Sequence, residues 1–187
     1  MNLEISIGVS NRHIHLTEET YNQLFDEPLT IAKELSQPGG FASNQFVTIK
    51  TENGEIENVR IVGPHRNYNQ VEISKSDAYQ LKLNPPVRRS GDLKGAENIT
   101  IIGPKATIEL KESCIIAQRH VHMSEKDANA IHRKDQDKVT IRIEGDRSAT
   151  LDAYIKTSQE GFTELHIDRD EANALLIEKT TKAILYK

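Results

Sequence analysis

The sequence predicts a mainly β fold with a few short helices. Most of the 187 residues alternate between apolar and polar side chains with a period of two, and these stretches are rich in Val, Ile and Thr, which favour strands. Turn signals such as Asn53-Gly54 and Gly63-Pro64 separate the stretches, and no long helical pattern occurs. The stretches predicted as strands include residues 45–51, 58–62, 98–102, 138–143 and 149–157.

A ten-residue pattern that occurs four times predicts where the short helices begin. Each copy reads as the end of a strand, an N-cap residue and then a short helix. The N-cap residues are Thr17, Ser74, Ser124 and Asp168. In three copies an acidic residue three positions after the cap predicts a capping box, which pairs Ser74 with Asp77, Ser124 with Asp127 and Asp168 with Glu171.

Each copy carries a potential metal ligand two residues before its cap, and these residues are His15, Glu72, His122 and His166. In two copies the match extends to Arg-His-x-His, which adds His13 and His120. Successive strand side chains point to opposite faces, so the two histidines of each pair share a face. Four coincidental polar residues are the alternative interpretation, but the two matched pairs favour a metal site.

Five histidines and one glutamate exceed the three protein ligands of a usual catalytic zinc, so the sequence predicts two metal ions with positions open for water or substrate. Imidazole and carboxylate suit zinc, although Co, Ni, Mn or Fe accept similar ligands. We assign His13 and His15 to one metal and the other four residues, Glu72 among them, to the second, with ligands exchangeable between the two. The remaining histidines, His65 and His132, lie outside the repeat and are predicted to be surface residues.

The net charge of −4 gives no general attraction to nucleic acid or to anionic lipid, so an anionic ligand needs local cations. Arg60 and Arg66 flank the turn that precedes Glu72, and they favour an oxyanion substrate because a guanidinium holds phosphate through paired hydrogen bonds. Arg12 and Arg119 directly precede the histidine pairs. For these two, a structural ion pair or cap is at least as well supported as a substrate contact.

No nucleophile motif and no phosphate-binding glycine loop occurs, so the chemistry is expected to be direct and metal-assisted. The single cysteine, Cys114, lies in an apolar stretch and is predicted to be a buried small hydrophobe rather than a nucleophile. The N-terminus carries no secretory signal, and no apolar segment approaches membrane-spanning length. The expected location is therefore the cytoplasm, without a membrane partner.

Six segments closely resemble the PduL family of phosphate acyltransferases, also called phosphate propanoyltransferases. They are GVSNRHIHL (8–16), QPGGFAS (37–43), VRIVGPHRNYNQVEISKSDA (59–78), PPVRRSGDLKG (85–95), IIAQRHVHMSEKDA (115–128) and LHIDRDEANA (165–174). The resemblance covers nearly the whole chain. It implies two closed β-barrels capped by short α-helices, with N-terminal segments exchanged between the barrels. One barrel takes residues 1–11 and 118–187, the other takes 12–25 and 45–117, and 26–44 form a small insert near a homodimer contact.

The resemblance also implies the reaction. The family reversibly transfers an acyl group, acetyl or propanoyl, from acyl-CoA to inorganic phosphate, which gives acyl phosphate and coenzyme A. It implies two zinc ions per chain, held at the positions of His13, His15, Glu72, His120, His122 and His166. Arg66 matches the arginine expected to hold phosphate. Residues at the positions of Ser10, Lys33, Arg60 and Asn173 are expected to contact coenzyme A.

Family members packaged into bacterial microcompartments often carry an amphipathic N-terminal extension, whereas this sequence begins almost at its first strand. A free cytoplasmic enzyme is therefore expected, with microcompartment association and a role in propanediol degradation left open. Two other functions use the same ligands: a zinc metallohydrolase acting on a thioester or phosphate ester, and a non-catalytic module with structural zinc. Formation of acyl phosphate distinguishes the acyltransferase from both.

Overall fold

A computed structural model describes residues 2–186. The chain divides into two compact units, one of residues 1–11 and 118–187, here called barrel 1, and one of residues 12–117, here called barrel 2. Each contains a closed ring of six strands, and four short helices complete the described part of the chain. The mainly β class predicted from the sequence is confirmed. None of the described helices is long and apolar enough to cross a membrane.

The strands and helices of the described residues follow one another in short elements. The strands are β1 (Leu3–Ser10), β2 (His13–His15), β3 (Ile31–Glu34), β4 (Phe41–Thr51), β5 (Gly54–Gly63), β6 (Gln70–Glu72), β7 (Val87–Arg88), β8 (Glu97–Ile102), β9 (Thr107–Ala117), β10 (His120–Ser124), β11 (Lys138–Ile143), β12 (Ala149–Ser158), β13 (Glu164–Asp168) and β14 (Ala183–Tyr186). The helices are α1 (Glu18–Leu24), α2 (Lys75–Leu81), α3 (Glu125–Ala130) and α4 (Arg169–Ala174). The five stretches predicted as strands all lie in strands, namely β4, β5, β8, β11 and β12.

Barrel 1 closes in the order β1-β13-β10-β12-β11-β14, with β14 returning to β1. The chain's first strand thus pairs with two of its last, in parallel with β13 and antiparallel with β14. Alternate residues of these strands fill the interior, including the fully buried Val121, Ile141 and Leu165. This alternation is the period-two pattern that predicted the strands.

Barrel 2 closes through β4, β5, β2, β6, β9 and β8, since β8 pairs with both β9 and β4. Its core includes the fully buried Ile14, Ile49 and Val71. Strand β3 pairs only with β4 among the described strands, and each of its four residues is exposed. It lies in the predicted insert 26–44, whose place near a homodimer contact stays a prediction.

The helices begin where the repeat predicted. Thr17, Ser74, Ser124 and Asp168 are the N-caps, and each side chain accepts a hydrogen bond from the backbone N–H three residues later. The capping boxes at Ser74 and Asp168 are complete. The box predicted at Ser124 is only half formed: the Ser124 hydroxyl accepts from the Asp127 N–H, whereas the Asp127 carboxylate accepts a hydrogen bond from the Thr163 hydroxyl (3.4 Å).

Cys114 lies in the core of barrel 2 with none of its surface exposed, which confirms its prediction as a buried residue. Burial raises the pKa of its thiol to about 12, so almost no thiolate exists near neutral pH. We expect the folded protein to show no reaction with an aromatic disulfide reagent over minutes, and one equivalent of reaction after unfolding in denaturant. Prompt reaction of the native protein would contradict this burial. A Cys114→Ala variant should retain activity.

Candidate functional site

The pairing of β2 with β6 brings together three predicted ligands in barrel 2. In this antiparallel pair, His13 lies opposite Glu72 and His15 lies opposite Gln70. Between them Ile14 faces Val71, and both are fully buried in the core. Because strand side chains alternate, the apolar pair anchors the strands while the polar residues share the other face.

His13, His15 and Glu72 offer ligand atoms that all lie within 4.8 Å of one another. The Nε2 atom of His13 is 3.5 Å from Oε2 of Glu72, and the two imidazole rings meet edge to face with centroids 5.0 Å apart. His15 and Glu72 are 5% and 9% exposed, respectively. Two imidazoles and a buried carboxylate within this distance form a set that can hold a metal ion. Within residues 2–186, no other group meets this distance criterion.

Two further contacts orient this triad. His15 Nδ1 lies 2.9 Å from the carbonyl oxygen of Val62 and must donate to it, because a carbonyl only accepts; the lone pair is then on Nε2. The side-chain amide of Gln70, which is fully buried, donates to Glu72 Oε1 at 2.6 Å and to the Ser90 hydroxyl at 2.9 Å. Its carbonyl accepts from the Gly91 N–H at 2.7 Å. Gln70 was not among the predicted site residues, although its place two residues before Glu72 puts it on the same strand face.

A second cluster occurs in barrel 1 with the same register. In the antiparallel pair of β10 and β13, His120 lies opposite His166 and His122 lies opposite Glu164. The ring centroids of His120 and His166 are 4.9 Å apart, and that of His122 lies 6.0 Å from His166. Strands β10 and β13 therefore correspond to β2 and β6, and the repeat seen in the sequence reflects a repeated strand pair.

The histidines of this cluster are also oriented by hydrogen bonds. His120 Nδ1 donates to the Gln118 carbonyl at 3.0 Å, and His122 Nε2 lies 3.0 Å from the Ser158 hydroxyl. Glu164, which is 9% exposed, accepts from His166 Nε2 at 2.9 Å. Sequence reasoning missed Glu164 as well, since it precedes the stretch in which the four copies were aligned.

The six predicted metal ligands thus fall into two groups, three in each barrel. His13, His15 and Glu72 form the first group, and His120, His122 and His166 form the second. The prediction had assigned Glu72 to the metal of the second group. The β2–β6 register places it opposite His13 instead.

Burial keeps two of these histidines neutral. It lowers the pKa of His15 to about 3, assisted by the charge of His13, and lowers the pKa of His122 to about 4, assisted by Lys156 on the neighbouring strand β12. A histidine must be neutral to bind a metal, so both are in the competent form near pH 7 without rearrangement.

The same pKa values predict that the metal-free protein loses stability in acid. In the unfolded chain a histidine takes up a proton below about pH 6.5, whereas folded His15 and His122 resist protonation down to about 3 and 4. The contribution of these two histidines to stability is therefore greatest above pH 6.5, and below it each lowers the free energy of unfolding by up to about 1.4 kcal/mol per pH unit. Urea unfolding of metal-free protein at several pH values measures this slope, and a His15→Gln variant should show a shallower one. Equal stability at about pH 7.5 and about pH 5 would contradict the prediction.

Arg12 and Arg119 form structural ion pairs. Nη2 of Arg12 lies 2.8 Å from Oδ1 of Asp77, and Nε of Arg119 lies 2.5 Å from Oε1 of Glu171. Asp77 and Glu171 hold equivalent positions in the first turns of α2 and α4. Each arginine thus links the start of β2 or β10 to a helix of its own barrel. These contacts favour a structural ion pair over a substrate contact.

The other two arginines lie near the triad. Arg66 is exposed, and its backbone N–H donates to the Leu16 carbonyl at 2.9 Å. Its positive charge contributes to lowering the pKa of His15. Arg60 is paired with His13 across β5 and β2. Its guanidinium donates to the Ser43 carbonyl and lies 4.2 Å from the centroid of the Phe46 ring. Arg66 is thus open to a ligand, whereas Arg60 already has protein partners.

The remaining predicted contacts are distributed over both barrels. In barrel 1, Ser10 ends β1 opposite Asp168, the N-cap of α4, and Asn173 is exposed on that helix. In barrel 2, Lys33 is exposed on β3. Their roles toward a ligand stay predictions.

The two histidines outside the repeat differ from each other. His132 is exposed, as predicted. His65 was predicted to be a surface residue but is only partly exposed. Its ring lies 5.0 Å from that of Tyr21, and its Nδ1 atom is buried without a hydrogen-bond partner.

Comparison with known proteins assigns this arrangement to a family. Residues 6–178 match the family model described as phosphate propanoyltransferase. The chain belongs to the phosphate propanoyltransferase family. All six predicted metal ligands and Arg66 lie within the matched residues.

Three relatives of this phosphate propanoyltransferase family member illustrate the match. The chain is 48% identical over 177 residues to a phosphate propanoyltransferase of Thermotoga maritima. This alignment covers 92% of this chain and 84% of the relative. It is 45% identical over 173 residues to that of Citrobacter koseri and 44% identical over 173 residues to that of Salmonella typhimurium. Each of these two alignments covers 91% of this chain and 82% of the relative. The family is one of acyltransferases, so the chain is an enzyme of that class.

Proposed function

We propose that this enzyme reversibly transfers an acetyl or propanoyl group from acyl-CoA to inorganic phosphate with the help of zinc. The observation that carries the proposal is the buried His13–His15–Glu72 triad in a member of the phosphate propanoyltransferase family. The family supplies the reaction class. The triad supplies a site where a bound metal ion places positive charge beside the thioester and the phosphate.

The triad's donors fit zinc. Catalytic zinc commonly takes three protein ligands of these types and leaves a fourth position open. The Val62 carbonyl and the Gln70 amide fix the ring of His15 and the carboxylate of Glu72, as second-sphere contacts do in metal sites. We extend the proposal to a second zinc at His120, His122 and His166, with Co, Ni, Mn or Fe able to replace zinc at either site. Zinc, when bound, supplies positive charge that polarises a carbonyl or stabilises a departing thiolate.

The chain's own groups bind and orient the two substrates. Arg66 holds phosphate through the paired N–H groups of its guanidinium. Contacts to coenzyme A come from Ser10, Lys33, Arg60 and Asn173. With both reactants bound, the orientation of the phosphate oxygen toward the thioester carbon supplies part of the rate enhancement.

The reaction is a direct displacement. A phosphate oxygen attacks the thioester carbon, the new C–O bond forms, and the C–S bond breaks with its electron pair on sulfur. Coenzyme A leaves as the thiolate, which takes up a proton, and acyl phosphate remains. No acyl-enzyme is required. The buried Cys114, whose pKa is raised to about 12 by burial, offers no thiolate for one.

The test is thiol release from acetyl-CoA and from propanoyl-CoA, with and without phosphate, on protein of measured zinc content. We expect release that requires phosphate, stops on chelation and returns on zinc addition, with acyl phosphate trapped as a hydroxamate. Release that is independent of phosphate would indicate a hydrolase instead. If zinc-loaded protein released no thiol, a non-catalytic binding role would be favoured instead.

We also propose that two chains form a homodimer through the insert 26–44. Its strand β3 exposes an apolar side chain, Ile31, to 57% of its full area. Leu35, which directly follows β3, is a second exposed apolar residue of the insert. Two exposed apolar residues in one short segment favour a contact surface. Light scattering after size-exclusion chromatography should give twice the mass of the 21.1 kDa chain, and an Ile31→Glu variant should shift the mass toward one chain.

A further inference from the structure

We propose that Glu164 is a positioning residue for the histidine cluster of barrel 1, and that Gly8 is a glycine because the Glu164 carboxylate occupies the adjacent space. The inference concerns the second metal site and therefore rests on the proposed function. It gives a role to a buried carboxylate that the sequence motifs did not include.

The two strand pairs are equivalent position by position. Glu164 and His166 on β13 occupy the positions that Gln70 and Glu72 occupy on β6, since His122 lies opposite Glu164 just as His15 lies opposite Gln70. In barrel 2 an amide holds a carboxylate ligand. In barrel 1 the roles are exchanged, and a carboxylate holds an imidazole. Each cluster consequently contains one carboxylate, although at different positions of the repeat.

Burial of the Glu164 carboxylate has a free-energy cost. A carboxylate that is only 9% exposed is destabilising unless it accepts strong hydrogen bonds. Glu164 accepts from His166 Nε2 at 2.9 Å through Oε2 and from the Ser6 hydroxyl at 3.4 Å through Oε1. With Nε2 protonated, the lone pair of the neutral His166 ring is on Nδ1. A carboxylate behind an imidazole fixes the ring orientation and makes the metal-binding nitrogen more basic.

The Glu164 carboxylate fills the space beside Gly8. On β1, Gly8 lies opposite His166, and a Cβ atom built at Gly8 would be 2.8 Å from Oε2 and 2.9 Å from Cδ of Glu164. Contacts below 3.0 Å force something to move, and the atoms that meet this Cβ belong to the end of a side chain rather than to backbone. Alanine at position 8 should therefore displace the carboxylate and leave the strand in place.

Two substitutions perturb the contact between Glu164 and His166 in separate ways. Glu164→Gln removes the charge with little change of volume, and Gly8→Ala moves the carboxylate without removing the charge. Glu144→Gln, an exposed acid of the same barrel, is the matched control. Thermal unfolding of each variant establishes that it is folded. If Glu164→Gln fails to fold, Gly8→Ala still decides the question.

The measurement is a zinc titration of metal-free protein against a chromophoric chelator, which needs no substrate. We expect one of the two zinc sites to bind about ten- to a hundredfold more weakly in both variants, with the other site and the control unchanged, because loss of a second-sphere partner typically has that effect. Nitrogen-15 NMR of the metal-free protein should also show the His166 proton redistributed between its two ring nitrogens in Glu164→Gln. Zinc affinities within about twofold of the parent at both sites would overturn the proposal.

Cobalt substitution distinguishes positioning from direct ligation. The visible spectrum of the Co(II) protein reports the number of ligands, so an unchanged band shape and intensity in Glu164→Gln at saturating cobalt supports a positioning role. A change of coordination number would overturn it. Failure of the proposed reaction is distinguishable from failure of the Glu164 proposal. If the parent protein bound two zinc ions but formed no acyl phosphate, the reaction would be wrong, while the zinc affinities of the two variants would still decide the role of Glu164.

Discussion

Replacing Glu72 with glutamine is expected to lower phosphate-dependent thiol release by at least about a hundredfold and to remove one zinc ion per chain. Glu72 supplies the only negative charge of the triad, and its Oε2 lies 3.5 Å from His13 Nε2. Glutamine keeps the side-chain volume but lacks the negative charge. That charge makes binding of the metal ion to the triad more favourable than hydration of the ion. A metal contributes several kcal/mol to charge stabilisation, and about 1.4 kcal/mol corresponds to a factor of ten in rate.

Rate and zinc content should be measured on the same preparation, by thiol release and by elemental analysis. Glu57→Gln is the control, because Glu57 is exposed on β5 of the same barrel and the substitution is chemically identical. Full activity with full zinc content in Glu72→Gln would show that Glu72 is not a ligand. Loss of activity with unchanged zinc content would assign the carboxylate to substrate binding instead.

Much of the fold is predictable because it depends on local rules. Alternation and β-branched residues predicted strands such as Lys138–Ile143, whose bounds agree at both ends. The caps were equally predictable, since Ser74 and Asp168 need only a backbone N–H three residues ahead. At Ser124 the box is only half formed, and Asp127 instead contacts Thr163, a residue far away in the sequence that no local pattern could reveal.

The candidate site also has features that local sequence predicts and features that depend on distant residues. The two His-x-His pairs were predictable because a period of two places both rings on one face. Which carboxylate joins which pair depends on strand pairing and register, and the chain's local pattern does not specify these. Hence the proximity of Glu72 to His13 and His15 was not predicted, and Gln70 and Glu164 were missed. The equivalence of Gln70 and Glu164 can be recognised only once β6 and β13 are aligned with each other.

Replacing Arg66 with glutamine is expected to raise the KM for phosphate by about ten- to a hundredfold, while the KM for acyl-CoA changes by less than about twofold. A hydrogen bond to a charged group contributes about 1.5–3 kcal/mol, and the loss of such contacts to phosphate gives a change of this size. The Arg66 backbone is held by the Leu16 carbonyl at 2.9 Å, so the substitution removes the guanidinium without releasing the loop. Initial rates with each substrate varied in turn give both constants.

Two further variants separate the charge of Arg66 from its shape. Arg66→Lys keeps the charge but loses the planar pair of donors, so its KM for phosphate should fall between those of the parent and Arg66→Gln. Lys111→Gln removes an exposed cation from β9 of the same barrel and should leave both KM values unchanged. If Arg66→Gln raised both KM values equally, the guanidinium would act through general electrostatic attraction or through the fold. If neither constant changed, phosphate would bind elsewhere. A selective effect on phosphate supports Arg66 as its ligand, because a lost contact that is equally strong in the ground and transition states raises KM and leaves kcat unchanged.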